Sequence, residues 1–306
     1  MPSEFEIIAR HFSRPARHAR LGVGDDAALI AVAPGMELAV STDLLIEGRH
    51  FAAGAEPRAL GHKALAVNLS DMAAMGASPR WATLALALPE ADEAWIAAFA
   101  DGFYALAVRF GVDLVGGDTT RGPLAICVTI LGEVPAGRAL TRAGARPGDE
   151  VWVSGALGGA AYALEHPEDA AAAKRLHEPE PRVALGERLL GLATAAIDVS
   201  DGFAQDLGHV LERSGVGAAV RYADLPKHPI ADAGLRARCV LSGGDDYELV
   251  FTAPAAANDA ISRAGATLGL ALARVGTVSA GPVALKVLDE RGATMALERG
   301  FDHFAA

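Results

Sequence analysis

The sequence predicts an α/β or α+β protein of two domains. Three observations carry this. The chain has 306 residues, long for one core when domains typically hold ~100–200 residues. Apolar runs of strand length alternate with helical patterns through both halves. Residues 135–150 (PAGRALTRAGARPGDE) are rich in Gly, Pro and Arg and separate the halves. The expected domains are residues 1–136 and 137–306.

From the N-terminus, Glu4 to His11 reads as a short helix, followed by a polar arm over residues 13–20 and the turn LGVGDDAALI. Leu38–Thr42 reads as a strand ending at Asp43. Pro57 to Met75 has helical periodicity, with Leu60, Ala64, Val67 and Asp71 near one face. An aspartate on that apolar stripe is unusual. WATLALALP reads as a strand ended by Pro89. Glu90 to Phe110 reads as a helix with acidic residues in its first turn, as the helix dipole favours. VDLVGG is a strand stopping at Asp118, and LAICVTILGEV is another.

The second half opens with the strand VWVSG. A Gly-rich turn, SGALGGAAYAL, leads into a helix. Ala170–Ala173 with Lys174 and Arg175 reads as a solvated helix. Pro179–Leu192 and Phe203–Ser214 read as helices. AAIDVSDG is a strand entering a turn, and CVLSGGDDYELVF reads as strand, turn, strand. Trp81, Trp95 and Trp152 sit on apolar patterns and are expected in cores.

The formal net charge is −11, which argues against binding nucleic acid through its phosphates. Cys127 and Cys239 lie in runs that read as strands. They are expected to be reduced thiols, which suits a cytoplasmic protein. MPSEFEIIARHF does not resemble a secretory leader, and no apolar run approaches the ~20 residues of a membrane span. GxxxxGK[ST], HRD, DFG, GxGxxG after a strand, HExxH, CxxC and GxSxG are all absent from the sequence. A P-loop, protein-kinase, dinucleotide, zinc or α/β-hydrolase site is therefore not expected.

The aspartates recur at strand ends or beside Gly: Asp25 and Asp26 in GVGDDAA, Asp43 in STD, Asp118 in GGDTT, Asp198 and Asp201 in IDVSDG, Asp245 and Asp246 in SGGDDYE. Such loops are where α/β proteins gather site residues. A single Asp-Gly turn is more often structural, since Asp bonds its own backbone, and Asp206 and Asp224 read as ordinary. Gathered carboxylates repel unless a cation neutralises them. Oxygen ligands without Cys or His select Mg²⁺ or Ca²⁺, and Mg²⁺ is usually shared with substrate phosphates. The residues by themselves thus point to magnesium and phosphate chemistry. Asp71 is the hardest to explain structurally.

In order, GVGDDAA, STDLLIEGRHF, HKALAVNLSDMAAMGASP, VGGDTTRGP, RALTRAGARPGD, IDVSDG, LSGGDDYEL and the final GFDHF closely resemble the thiamine-monophosphate kinases, over nearly the whole chain. NLSDMAAMGA with GGDTTRGPL is specific to that family. GDD and SDG alone mark only the wider aminoimidazole ribonucleotide synthetase-like superfamily. The resemblance implies a two-domain fold of that superfamily, with N-terminal domains sharing a β-barrel in a homodimer. It implies transfer of a phosphoryl group from ATP to thiamine monophosphate, with several Mg²⁺ ions; K⁺ is a further candidate cation. The first domain would bind ATP and magnesium and dimerise, and the second would complete the active site.

By motif position, Asp26, Ser41, Thr42, Asp43, Asp71, Asp118, Asp198 and Asp201 match the metal ligands. Asp71, Asp43 and Asp201 are the expected catalytic residues, with Asp71 the one expected to be indispensable. Gly117, Asp118, Arg142 and Ser200 match nucleotide contacts. His50, Asp245 and Phe301 match contacts to thiamine monophosphate. Arg121 and Lys63 are lesser candidates. Asp245 stands where the family often has Glu, and Phe301 where it often has Tyr or Trp. Outside the family context, a lone His such as His50 is more often structural. The nearest rival is aminoimidazole ribonucleotide synthetase, with the same nucleotide site and another acceptor. A selenophosphate synthetase would need a reactive Cys near the N-terminus. A non-enzymatic metal-binding protein would not need Arg142 beside the aspartates.

Overall fold

The computed structural model of the chain describes residues 3–298 and Gly300. It divides into two compact units. Unit 1 holds residues 1–72 and 77–137, and unit 2 holds residues 73–76 and 138–306. No described helix is long and apolar enough to cross a membrane.

Unit 1 starts with helix α1 (Glu4–Ile7), closed at its N-terminus by a capping box between Ser3 and Glu6. A π-helical turn over Ile8–Phe12 continues it. Short strands β1 (Ala19–Leu21) and β2 (Leu29–Ile30) pair with each other. The arm before β1 is pinned where Asp113 Oδ2 accepts the N–H groups of Arg17 and His18 at 2.6 and 2.5 Å.

The main sheet comprises β3 (Met36–Ile46), β4 (Ser78–Leu88), β5 (Asp113–Arg121) and β6 (Ala125–Pro135), in the order β3-β6-β4-β5. Only the β4–β5 pair is parallel. Helix α3 (Glu93–Phe110) supplies that crossover, with Asp92 capping its start and left-handed Gly111 ending it. Helix α2 (Pro57–Met75) runs between β3 and β4. A Cβ on Gly61 of α2 would lie 2.0 Å from the Phe99 carbonyl, and one on Gly102 of α3 would lie 1.8 Å from the Arg58 carbonyl. The two helices therefore cross in backbone contact. Leu65, Leu69, Trp81, Leu86, Phe99, Phe103 and Ile126 are fully buried in this unit.

Two of these strands outrun the sequence reading. β3 continues through Asp43 to Ile46, and β5 continues through Asp118 to Arg121. The aspartates thus stand within strands rather than ending them. Asp118 is tolerated there because its sheet face is only half buried, and Asp43, on the opposite face, lies half-exposed on the edge strand.

Unit 2 contains β7 (Glu150–Ser154), α4 (Gly159–Glu165), α5 (Ala170–His177), α6 (Val183–Leu189), β8 (Ala195–Asp198), α7 (Phe203–Ser214), β9 (Gly217–Arg221), α8 (Ala233–Ser242), β10 (Leu249–Ala253), α9 (Asn258–Leu268), β11 (Leu272–Ser279) and β12 (Leu285–Leu288). Its mixed sheet has the order β12-β9-β11-β7-β10-β8. Val151, Val153, Ile197 and Val250 on one sheet face pack with Phe203, Leu207 and Val210 of α7 and Val240 of α8. The alternate residues Trp152 and Phe251 stack 6.3 Å apart.

CVLS, read as strand, is the last turn of α8, and Cys239 is helical. Apolar β-favouring residues over so short a run fit either state. The deciding signal is upstream, where Asp232 caps the helix by accepting the Leu235 N–H at 2.7 Å. Both cysteines are free, Cys239 buried and Cys127 half-buried. Trp81 and Trp152 are buried; Trp95 is half-buried and stacks on Phe99 at 5.3 Å.

Candidate active site

In unit 1 the strand register distributes the candidate ligands over two sheet faces. Thr42 pairs with Thr129 across to β6, and their hydroxyls lie 2.8 Å apart. Asp118 pairs with Ala85, which pairs with Cys127, which pairs with Leu44. Side chains alternate faces along a strand, so Thr42 and Asp118 share the half-exposed face. Ser41 and Asp43 alternate with Thr42 and take the other. There the Ser41 hydroxyl donates to Asp71 Oδ2 of α2 at 2.5 Å. The Asp71 that broke the apolar stripe therefore has its partner on β3. β3 and β5 are three strand spacings apart, roughly 14 Å at ~4.8 Å per strand.

A cavity of about 580 Å³ lies in the same unit. Phe5, Ile8, Phe12 and Leu114 give it apolar walls, and Asp25, Asp26, Gly117 and Asp118 give it polar ones. It therefore joins the N-terminal helical turns, the GVGDDAA turn and the middle of β5. Gly117 has φ 153°, and a Cβ there would lie 1.9 Å from the Leu84 carbonyl. No other residue could bring the β5 backbone against β4 at this point. The Asp26 N–H donates to Asp25 Oδ1 at 2.9 Å, a local bond that shapes the turn. At the end of β3, the Ile46 N–H donates to His50 Nδ1 at 2.9 Å. Nδ1 then carries no proton, and a neutral ring holds its proton on Nε2. Arg121 donates to the Pro89 carbonyl at 3.2 Å, and Lys63 is buried.

Unit 2 holds two turns that form one bonded piece. β8 ends at buried Asp198, and Val199, Ser200, Asp201 and Gly202 follow. Asp206, in the first turn of α7, accepts the N–H groups of Ser200, Asp201 and Gly202 on Oδ2, each at 3.1 Å. Asp206 is 2% exposed. Burial, and then the neighbouring Asp198 and Asp201, push its pKa up to about 8. Sequence reading passed Asp206 as ordinary. The available signal was an acid on the buried face of α7, five residues after Asp201.

The second turn, Gly243 to Glu248, is fastened to the first. The Asp245 N–H donates to the Ser200 carbonyl and the Tyr247 N–H to the Val199 carbonyl, both at 2.9 Å. Asp246 is buried, and burial pushes its pKa up to about 7. Glu248 is buried too, gripped by Arg182 Nε and Nη2 at 2.7 and 2.6 Å. Arg142 is exposed, and Phe301 lies outside the described residues.

Among the described residues, no three His, Cys, Asp or Glu side chains gather closely enough to hold a cation as they stand. The donors are carboxylates and hydroxyls, and those of unit 1 are exposed or half-exposed. This set suits Mg²⁺, which takes one or two carboxylates and completes its shell with water and substrate phosphate.

The family model for the AIR synthase related protein N-terminal domain matches residues 24–134, and that for the C-terminal domain matches residues 146–287. The thiamine-monophosphate kinase of Salmonella typhimurium (strain LT2) is 44% identical over 320 residues, covering 99% of this chain and 98% of that protein. The chain belongs to the thiamine-monophosphate kinase family. The fold agrees with that of a thiamine-monophosphate kinase from Stenotrophomonas maltophilia K279a, with TM-score 0.85, 45% identity, and coverage of 94% of this chain and 95% of that one. AaThiL complexed with AMPPCP and TMP matches with TM-score 0.78 and 30% identity, covering 90% and 89%. The two-domain, AIR synthase-like α/β architecture expected for the family is thus the one found.

Proposed function

We propose that the chain transfers the terminal phosphoryl group of ATP to the phosphate of thiamine monophosphate, giving ADP and thiamine diphosphate. The observation that carries this reading is the unit 1 cavity, where Asp26, Gly117 and Asp118 share walls with Phe5, Ile8 and Phe12. An apolar wall suits a nucleotide base, and the carboxylates suit the cations that travel with phosphates.

The acceptor is a phosphate oxygen whose second pKa is about 6, so it is ionised at neutral pH. No side chain need remove a proton from it. What the chain must supply is position and neutralisation. Mg²⁺, when bound, supplies positive charge to phosphates that would otherwise repel each other. Asp26, Ser41, Thr42, Asp43, Asp71 and Asp118 of unit 1, and Asp198 and Asp201 of unit 2, are the residues that would hold it. Asp71, Asp43 and Asp201 are the catalytic ones in this reading, and Asp71 is the one we expect to be indispensable. Gly117, Asp118, Arg142 and Ser200 bind the nucleotide in this reading, and Arg142 brings fixed positive charge. His50 and Asp245 bind thiamine monophosphate. Residues 1–136 thus act as the ATP, magnesium and dimerisation domain, and residues 137–306 complete the active site.

A homodimer built on β3 belongs to the same reading. β3 is an edge strand of eleven residues, and Leu38, Val40, Leu44 and Ile46 on one of its faces are 39–57% exposed. A long, apolar edge strand invites pairing with another chain. Thr42 lies on that face as well. A second copy pairing there, closing a shared barrel, would come next to a candidate ligand. A cytoplasmic location is supported by the two free thiols.

The test is acceptor dependence. With ATP and Mg²⁺, ADP release should be stimulated by thiamine monophosphate and not by thiamine, which lacks the phosphate acceptor. Equal stimulation by both, or by neither, would contradict the proposal.

A further inference from the structure

Asp245 and Tyr247 are the two non-glycine residues with positive φ among those described, at 65° and 49°. Left-handed backbone is disfavoured for L residues, and most for a bulky one such as Tyr. Something must hold this stretch, and its neighbours do. Asp246, between the two, turns inward, where Oδ2 accepts the Gly158 N–H at 2.6 Å and Oδ1 the Ala160 N–H at 3.4 Å. Two residues on, Glu248 is fixed by Arg182 and by the Ser154 hydroxyl at 2.7 Å. Main-chain bonds to Ser200 and Val199 fasten the strained residues themselves. Strain kept in place by so many bonds marks a segment whose conformation is used. The strained geometry also has a side-chain consequence, because the Tyr247 hydroxyl donates to Asp245 Oδ1 at 2.9 Å.

We propose that Tyr247 is a positioning residue whose hydroxyl aims the Asp245 carboxylate at thiamine monophosphate, and that Asp246 is the anchor keeping both neighbours left-handed. This rests on the reading that Asp245 contacts that substrate. With one carboxylate oxygen engaged by Tyr247, the rotation of the carboxylate is restricted before substrate arrives. An acid ordered in advance loses less freedom on binding. The matter is sharper for Asp than for the Glu frequent in the family, since the shorter side chain has less reach with which to correct a poor direction.

The test is a double-mutant cycle on the full chain, reading KM for thiamine monophosphate and KM for ATP separately. Asp245→Ala should raise KM for thiamine monophosphate on the order of 10-fold or more, and Tyr247→Phe about 3- to 10-fold. KM for ATP should move less than about twofold in Tyr247→Phe. The double variant should be no worse than Asp245→Ala alone, because Tyr247 acts through the carboxylate. If Asp245→Ala leaves KM for thiamine monophosphate unchanged, the reading of Asp245 as a substrate contact falls. If Asp245→Ala raises it but Tyr247→Phe does not, or adds to it independently in the double variant, the positioning role alone falls. Asp246→Asn, which keeps one of two acceptor oxygens, should also raise KM for thiamine monophosphate. An unchanged value would overturn the anchor.

Discussion

The candidate-ligand acids of unit 1 and three buried acids of unit 2 (Asp206, Asp246 and Glu248) are built in opposite ways. In unit 1 they reach solvent. Asp25, Asp26 and Asp118 are exposed, Asp43 and Asp71 are half-exposed, and strand register puts Asp43 and Asp118 on opposite sheet faces. In unit 2 they are wired in. Asp206 accepts three backbone N–H groups, Asp246 accepts two, and Glu248 is closed by arginine and serine. Open carboxylates are ready for cations that arrive with a substrate. Wired ones shape turns. Asp-rich motifs that look alike as sequence thus differ in their surroundings, and burial with backbone bonding sets Asp206 and Asp246 apart from the exposed Asp26 and Asp118.

The comparison can be broken by exchanging the expected consequences. Asp71→Asn should cost activity and little stability, with kcat/KM falling on the order of 10²–10³-fold. A steady-state assay across a magnesium series checks this, and normal turnover at low magnesium would remove Asp71 from the ligand set. Asp206→Ala should do the reverse first. Three buried donors lose their acceptor, and unfolding should become easier by about 2–4 kcal/mol, read by denaturant titration. An unchanged midpoint would mean that the SDG turn holds its own shape.

A milder intervention is Val40→Asp on the exposed face of β3. It should shift the protein from dimer to monomer in sedimentation velocity while leaving the unit 1 fold intact by circular dichroism. A monomeric wild type would remove the β3 pairing.

The smallest expected effect is on the pH dependence of stability. Burial raises the Asp246 pKa from 3.8 to about 7. The folded state therefore binds this proton more tightly than the unfolded chain does. Stability from this group is greatest below about pH 4 and declines as pH rises towards 7. Asp246→Asn, which cannot ionise, should show a flatter thermal midpoint over that interval. A parallel profile would assign the slope elsewhere.

Much of this was legible in the residues. Pro57–Met75 and Phe203–Ser214 are helices with the bounds expected from the sequence. Asp71 stood out because it interrupts an apolar stripe, and the structure pairs it with Ser41, thirty positions earlier. The face that each strand aspartate takes was not legible, because it depends on register between strands far apart in sequence. Thr42 and Asp43 are adjacent in the chain and on opposite faces of the sheet. The role of Asp206 was hidden for a related reason. Its three bonds run backwards to the turn before its helix, and sequence shows only an acid in a first helical turn, which the dipole favours anyway. The strand read over Cys239 yielded to a helix whose cap, Asp232, lies outside the apolar run that drew attention.

The central claim is that this chain joins a phosphate to a phosphate, with cations held by the candidate aspartates Asp26, Asp43, Asp71, Asp118, Asp198 and Asp201. Following ATP, Mg²⁺ and thiamine monophosphate with the purified chain by ³¹P NMR tests it most directly. The account predicts the paired signals of thiamine diphosphate growing in step with ADP, and their arrest when EDTA removes the metal. Inorganic phosphate in place of thiamine diphosphate, or no turnover with and without K⁺, would contradict it.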